Sequence, residues 1–195
     1  MGTTRLVSRR RQDSGAKWAR IAMAVLATAG LIDTGSITLK RWGLLGNLTC
    51  PIGADGCDKV LNSAWGTVFA GIPLSLVGVL AYGAVLLMAL LPLLPGLQEN
   101  KSDMSRRTWW GLFAVSLGMA VFSGVLLGVM LLKIQAFCFF CVLSAGLSLA
   151  LLVLSIVGGG WDDLGQLAFR GVLLALAVLL GCLLYTSDAA DECLC

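Results

Sequence analysis

The sequence predicts an all-α membrane protein, and three observations carry that prediction. Only 13% of the 195 residues are charged and 58% are hydrophobic, whereas soluble domains carry about 25% charged residues. The apolar residues gather into five runs, each near the roughly 20 residues that cross a hydrocarbon core. Carboxylates are few, and most lie outside the runs. The length suits one helical domain.

The first run spans about Trp18 to Ile37 and is interrupted by Asp33. Residues 1–17 before it read as a cytoplasmic tail, and 38–72 after it as a long outer loop. The second run is Pro73 to Leu94. Pro73 suits a first helical turn, and Pro92, Pro95 and Gly96 end the run. The third is Trp109 to Leu132, with Trp109 and Trp110 as interfacial anchors. The fourth, about Phe137 to Val157, closes at Gly158, Gly159 and Gly160, so that 18–160 form one membrane domain. A fifth helix is expected within 161–185, from near Phe169 to Tyr185.

Basic residues set the orientation. Arg5, Arg9, Arg10, Arg11, Lys17, Arg20, Lys101, Arg106, Arg107 and Arg170 fall on one side, against Lys40, Arg41, Lys59 and Lys133 on the other. The richer side is expected in the cytoplasm. The 38–72 loop and the turn near Lys133 then face the periplasm or a lumen. A rival reading takes the first run, with Ala27-Thr28-Ala29, as a cleaved signal peptide.

The chain has no histidine, which excludes histidine acid–base catalysis and histidine metal sites, and a net charge of +3 is too small to suggest nucleic acid. Seven cysteines remain as the reactive groups. Cys50 and Cys57 enclose a segment rich in turn formers, Pro51, Gly53, Asp55 and Gly56, which lets the sulfurs meet and part. A disulfide is permitted on the outer side, and a purely structural one is the plain alternative. Residues 58–65 read as a short helix with Cys57 at its N-terminus, where the dipole favours a thiolate. Cys138 and Cys141 lie at the outer end of the fourth run. Residues three apart share a helix face, with Cys141 about 4.5 Å deeper. One thiol can then meet a water-side disulfide and the other a lipid-dissolved acceptor. The plain alternative is two small apolar side chains. Zinc held by four cysteines is a weaker reading, because six residues between Cys50 and Cys57 exceed the usual knuckle.

In order, the chain carries Cys50, Cys57, Asn62-Ser63-Ala64-Trp65-Gly66, Gly71-Ile72-Pro73-Leu74-Ser75 and Phe137-Cys138-Phe139-Phe140-Cys141. This combination resembles the vitamin K epoxide reductase family over roughly residues 20–170, most closely its prokaryotic, cyanobacterial-like branch. The resemblance implies a four-helix transmembrane bundle around a quinone, plus a fifth transmembrane helix. It implies a thiol–disulfide oxidoreductase serving protein disulfide formation, in which a thioredoxin-like partner reduces Cys50–Cys57, Cys57 exchanges with Cys138, and Cys141 reduces the quinone. The quinone is ubiquinone, menaquinone, phylloquinone or plastoquinone. Ser63, Trp65, Phe137, Leu74 and Cys141 are the implied quinone contacts. The membrane implied is the bacterial inner membrane, with the thylakoid as the alternative.

Leu74 stands where vertebrate members have an asparagine, and Ala145 where they have a tyrosine, which argues against epoxide reduction. Prokaryotic members often carry a thioredoxin-like domain after the fifth helix, expected to be missing here. Residues 186–195 read as adapter-derived, not native, and Cys182 as a lipid-buried thiol. Without histidine, the proton donor to the quinone is a thiol, Ser63 or water. Two rivals remain: an unrelated quinone-linked disulfide oxidase with both reactive pairs in loops, and a non-enzymatic membrane scaffold with a structural disulfide.

Overall fold

Backbone amides in hydrocarbon must be satisfied within their own segment, so each apolar run closes on itself as a helix. The structure, a computed structural model, describes residues 2–44, 57, 59–60, 67–68, 72–93, 101–159, 161 and 163–192, with the backbone alone at 2–14, 67–68, 72, 101–102 and 185–192. Its long helices are α1 (Gly2–Arg41), α2 (Leu74–Leu90), α3 (Lys101–Val129), α4 (Phe139–Gly158) and α5 (Leu164–Glu192). Each contains a stretch long and apolar enough to cross a membrane. Two-residue strands β1 (Thr67–Val68) and β2 (Ile72–Pro73) pair antiparallel just before α2. This ribbon leaves the all-α architecture unchanged.

Several helices outrun their apolar runs. α1 starts at Gly2 within the segment expected as a tail and ends at Arg41 within the expected loop, α3 begins eight residues before Trp109, and α5 continues past Tyr185. Arg, Lys, Gln, Glu and Ala are good helix formers in water as well as in lipid. A hydrophobic run therefore marks the stretch in contact with lipid rather than the ends of the helix.

The first four helices close a ring, α1 against α2, α2 against α3, α3 against α4 and α4 against α1, while α5 packs chiefly on α3. Lipid removes most of the hydrophobic drive between helices, so packing depends on close approach and polar contacts. At Gly30 the Tyr82 ring of α2 lies where a Cβ would be, and at Gly78 the Thr34 methyl stands 2.8 Å from that position. The interior holds buried Thr34, Thr38, Ser116, Ser148 and Ser155, while Val25, Leu80 and Val157 are exposed.

One end of the ring is fastened by Arg20 of α1. Its guanidinium donates to the Met88 carbonyl on α2, and on α3 to the Ser105 carbonyl and hydroxyl and Thr108 Oγ1, at 3.0–3.2 Å. It also lies 4.5 Å over the Trp109 ring. Trp109 is consequently buried at 7% exposure, packed inside the bundle instead of anchoring it in the interface. Gly158 of α4 sits against Ala19 and Trp109 at this same end. The opposite end, where α1 stops and α2 and α4 begin, carries Cys57, Cys138 and Cys141.

Candidate active site

The site is built where the chain turns from α3 into α4. α3 passes into a π-helical turn, Met130–Ile134, and Gln135 then adopts a left-handed conformation, φ 52°. The chain runs extended through Cys138, φ −114° and ψ 110°, which is the N-cap of α4. Cys138 therefore precedes the helix, and Cys141 lies in its first turn. The sequence reading had both on one helix face.

This arrangement brings the sulfurs together and gives them different surroundings. The Cys141 thiol donates to Cys138 Sγ across 2.7 Å, and both cysteines are unbonded thiols. Cys138 is fully buried, clustered with Met130 and with Cys57, itself only 2% exposed; Val60, Leu127, Phe140 and Cys141 pack around them. Cys57 is disulfide-bonded, and its partner lies outside the described residues. The Cys141 S–H holds Cys138 below the ordinary thiol value, helped by the backbone amides of Phe140 and Cys141, against burial and a weaker opposing effect of Asp33. Those amides face the sulfur from the start of α4 without closing a cap hydrogen bond. A thiolate at a helix N-terminus is stabilised in this way.

Cys141 looks the other way, onto a cavity of about 180 Å³ inside the ring. All four helices line it: Asp33, Thr34, Ile37 and Arg41 from α1; Leu74, Ser75, Val77, Gly78 and Ala81 from α2; Met119, Phe122, Ser123, Leu126, Leu127 and Val129 from α3; and Phe140, Cys141 and Ser144 from α4. Val60, Pro73, Met130 and Ile134 complete the wall. Cys138 is not part of it. Two hydroxyls on the wall are tied to neighbours: Ser75 Oγ and Thr38 Oγ1 lie 2.8 Å apart, and Ser144 Oγ lies 3.0 Å from the buried Tyr82 hydroxyl.

A cavity of about 150 Å³ lined by apolar side chains accepts a benzene-sized ring, so this space fits the head group of a quinone. Its chemistry also fits, since a thiol and a buried carboxyl sit on an otherwise mainly apolar wall. Leu74 lies on the wall, whereas Phe137 is 48% exposed and off it. Phe140 takes the place on the wall that the sequence reading gave to Phe137. Cys50, Ser63 and Trp65 lie outside the described residues, as does most of the expected 58–65 helix; Cys57, Lys59 and Val60 are helical. Cys182 on α5 is buried and free.

Sequence reasoning missed Asp33 as a site residue, treating it only as an interruption of the first run. The signal was there, because an ionisable residue inside a spanning segment marks function by default. It also missed Tyr82 and Ser144, which look like ordinary residues of apolar helices.

The chain matches the vitamin K epoxide reductase family over residues 21–156, which takes in most of the four-helix ring together with Cys57, Cys138 and Cys141. It is similar to the thiol-disulfide oxidoreductase LTO1 of Arabidopsis thaliana, with 32% identity over 151 residues. The alignment covers 76% of this chain and 39% of LTO1, so the chain spans well under half of that relative's length. On the extent of the family match, the chain belongs to the vitamin K epoxide reductase family, and its five long apolar helices make it an integral membrane protein.

Proposed function

We propose that the chain is a quinone-dependent thiol–disulfide oxidoreductase, oxidising a thioredoxin-like protein, separate or fused, and passing the electrons through two cysteine pairs to a membrane quinone. One observation carries this reading. Of two touching sulfurs, Cys141 lines the interhelical cavity and Cys138 packs against disulfide-bonded Cys57. The printed description of LTO1 as a thiol-disulfide oxidoreductase supports the same chemistry.

In this reading Cys50 is the disulfide partner of Cys57 and receives electrons from the partner protein. The Cys57 thiolate then attacks Cys138 in a Cys138–Cys141 disulfide, and Cys141 leaves as the new thiol on the cavity side; Cys50 next attacks Cys57 in the resulting Cys57–Cys138 mixed disulfide, re-forming Cys50–Cys57 and releasing Cys138 as a thiol. A bound quinone supplies a two-electron, two-proton acceptor. As the pair gives up its electrons, Cys138 is the attacking thiolate, favoured by the Cys141 S–H and the helix N-terminus. Leu74, Ala81 and Phe140 bound the head group, and Ser63 and Trp65 are the further quinone contacts that the family resemblance implies. The basic-residue asymmetry favours the cysteine end facing the periplasm or lumen, in the bacterial inner or thylakoid membrane.

The test supplies purified protein in detergent with dithiothreitol or a reduced thioredoxin-like protein and follows quinone absorbance. Turnover by wild type that disappears in Cys141→Ala is the expected result. No turnover by folded wild type in the presence of quinone, with Cys138 and Cys141 remaining reduced, would instead favour a structural scaffold.

A further inference from the structure

Reduction of a quinone consumes two protons as well as two electrons, and the chain has no histidine to deliver them. On the wall that carries Cys141 lies Asp33, 7% exposed, and neither of its carboxyl oxygens has a hydrogen-bond partner among the described residues. Buried side-chain oxygens in native proteins are almost always bonded. The polar neighbours on α1 are committed elsewhere: Thr34 and Thr38 donate to the carbonyls of Gly30 and Thr34 at 2.8 Å, and Ser36 donates to the Asp33 carbonyl, not its carboxyl. Arg41, the other charged wall residue, makes no hydrogen bond to the Asp33 carboxyl. Ser116 Oγ, also buried without a partner, lies off the cavity. A carboxyl inside a spanning helix that faces the bundle interior is the usual form of an intramembrane proton relay.

We propose that Asp33 is a catalytic residue that hands protons to the quinone, an inference that rests on the quinone reading above. Asp33 as a carboxylic acid gives its proton to one quinone oxygen while Cys138 and Cys141 form their S–S bond. Two electrons leave the dithiol with that bond. Of the two protons the dithiol releases, one goes to the second quinone oxygen and one returns to Asp33. Dithiol and quinone become disulfide and hydroquinone, and Asp33 ends as it began.

The test compares wild type, Asp33→Asn and Asp33→Glu, with quinone binding and thermal unfolding as checks on folding. Asparagine preserves size and a hydrogen-bond donor but cannot transfer a proton. Two results are expected. The infrared carbonyl band of a protonated carboxyl is present in wild type without quinone and missing in Asp33→Asn. Oxidation of pre-reduced Asp33→Asn by quinone slows on the order of 10²–10⁴-fold, the usual contribution of general acid–base catalysis, with unchanged quinone affinity and an altered pH profile, and Asp33→Glu recovers rate. Oxidation of Asp33→Asn at the wild-type rate, absence of the carboxyl band, or a loss of quinone affinity that accounts for the slower rate would each overturn the proposal. If wild type neither binds quinone nor is oxidised by it while the band persists, the quinone reading itself fails and takes this proposal with it.

Discussion

Ala81 on α2 contributes to the cavity wall, and Ala81→Phe should raise stability while abolishing quinone chemistry. Unfilled interior space forgoes van der Waals contacts worth about 24 cal/mol per Å³. For 180 Å³ this corresponds to about 4 kcal/mol. Lipid weakens the transfer-from-water part of core stability but not this contact part, because it depends on atoms having neighbours. A phenyl ring that recovers half of those contacts contributes about 2 kcal/mol. At about 2–4 °C per kcal/mol for a chain of this length, the melting temperature rises by about 4–8 °C.

Quinone supplies the opposing measurement. Wild type held with quinone at 100 times its Kd gains about 2.7 kcal/mol, or about 5–11 °C. Ala81→Phe occupies the same space with its own ring and should gain nothing. The assay is thermal unfolding in detergent with and without quinone, alongside quinone reduction. A quinone-dependent shift persisting in Ala81→Phe would refute the placement of the quinone in this cavity. A lower melting temperature without quinone would show that the ring overpacks the site, and the contact estimate would then be wrong.

Gly30→Ala places a methyl in the space of the Tyr82 ring, and the expected loss is about 1–3 kcal/mol in thermal unfolding; combining it with Tyr82→Leu should recover part of that loss. In the reduced protein, the ultraviolet thiolate absorbance that Cys138→Ala removes should reach half its full value at a pH below that of an ordinary thiol, because the Cys138 pKa is lowered first by the Cys141 S–H. Cys141→Ala should move that midpoint upward. By the same linkage, the thiolate's contribution to stability is present above the ordinary thiol value and is lost as pH falls through the lowered one.

The large features were legible because each has a strong physical signal. Lipid demands long apolar helices, and these were countable in the sequence. The basic-residue asymmetry placed both cysteine pairs on one side, and the structure brings Cys57, Cys138 and Cys141 into one cluster. Helix ends were not legible, since α1 and α3 extend beyond their lipid-facing stretches on residues that favour helix in water. Phe137 shows the same limit at the site. Reading 137–141 as helix leaves Phe137 free to face the quinone. In the extended segment that actually precedes α4, successive side chains point to opposite sides. Cys138 faces inward at 0% exposure, and Phe137 consequently faces out at 48%. Gly30 looked like any glycine in an apolar run, because its meaning depends on Tyr82, 52 positions away.

The backbone change between Cys138 and Cys141 also explains how one pair serves two sides. Two cysteines at i and i+3 of an unbroken helix share a face, so both would look onto the cavity or both away from it. A relay needs its sulfurs close enough to bond to each other yet turned toward different partners. The π turn and left-handed Gln135 deliver the chain into an extended approach. That approach swings Cys138 toward Cys57, while the first turn of α4 holds Cys141 on the cavity wall with Asp33. The boundary between extended chain and helix therefore falls between the two sulfurs, which is where the proposed electron path passes from disulfide exchange to quinone reduction.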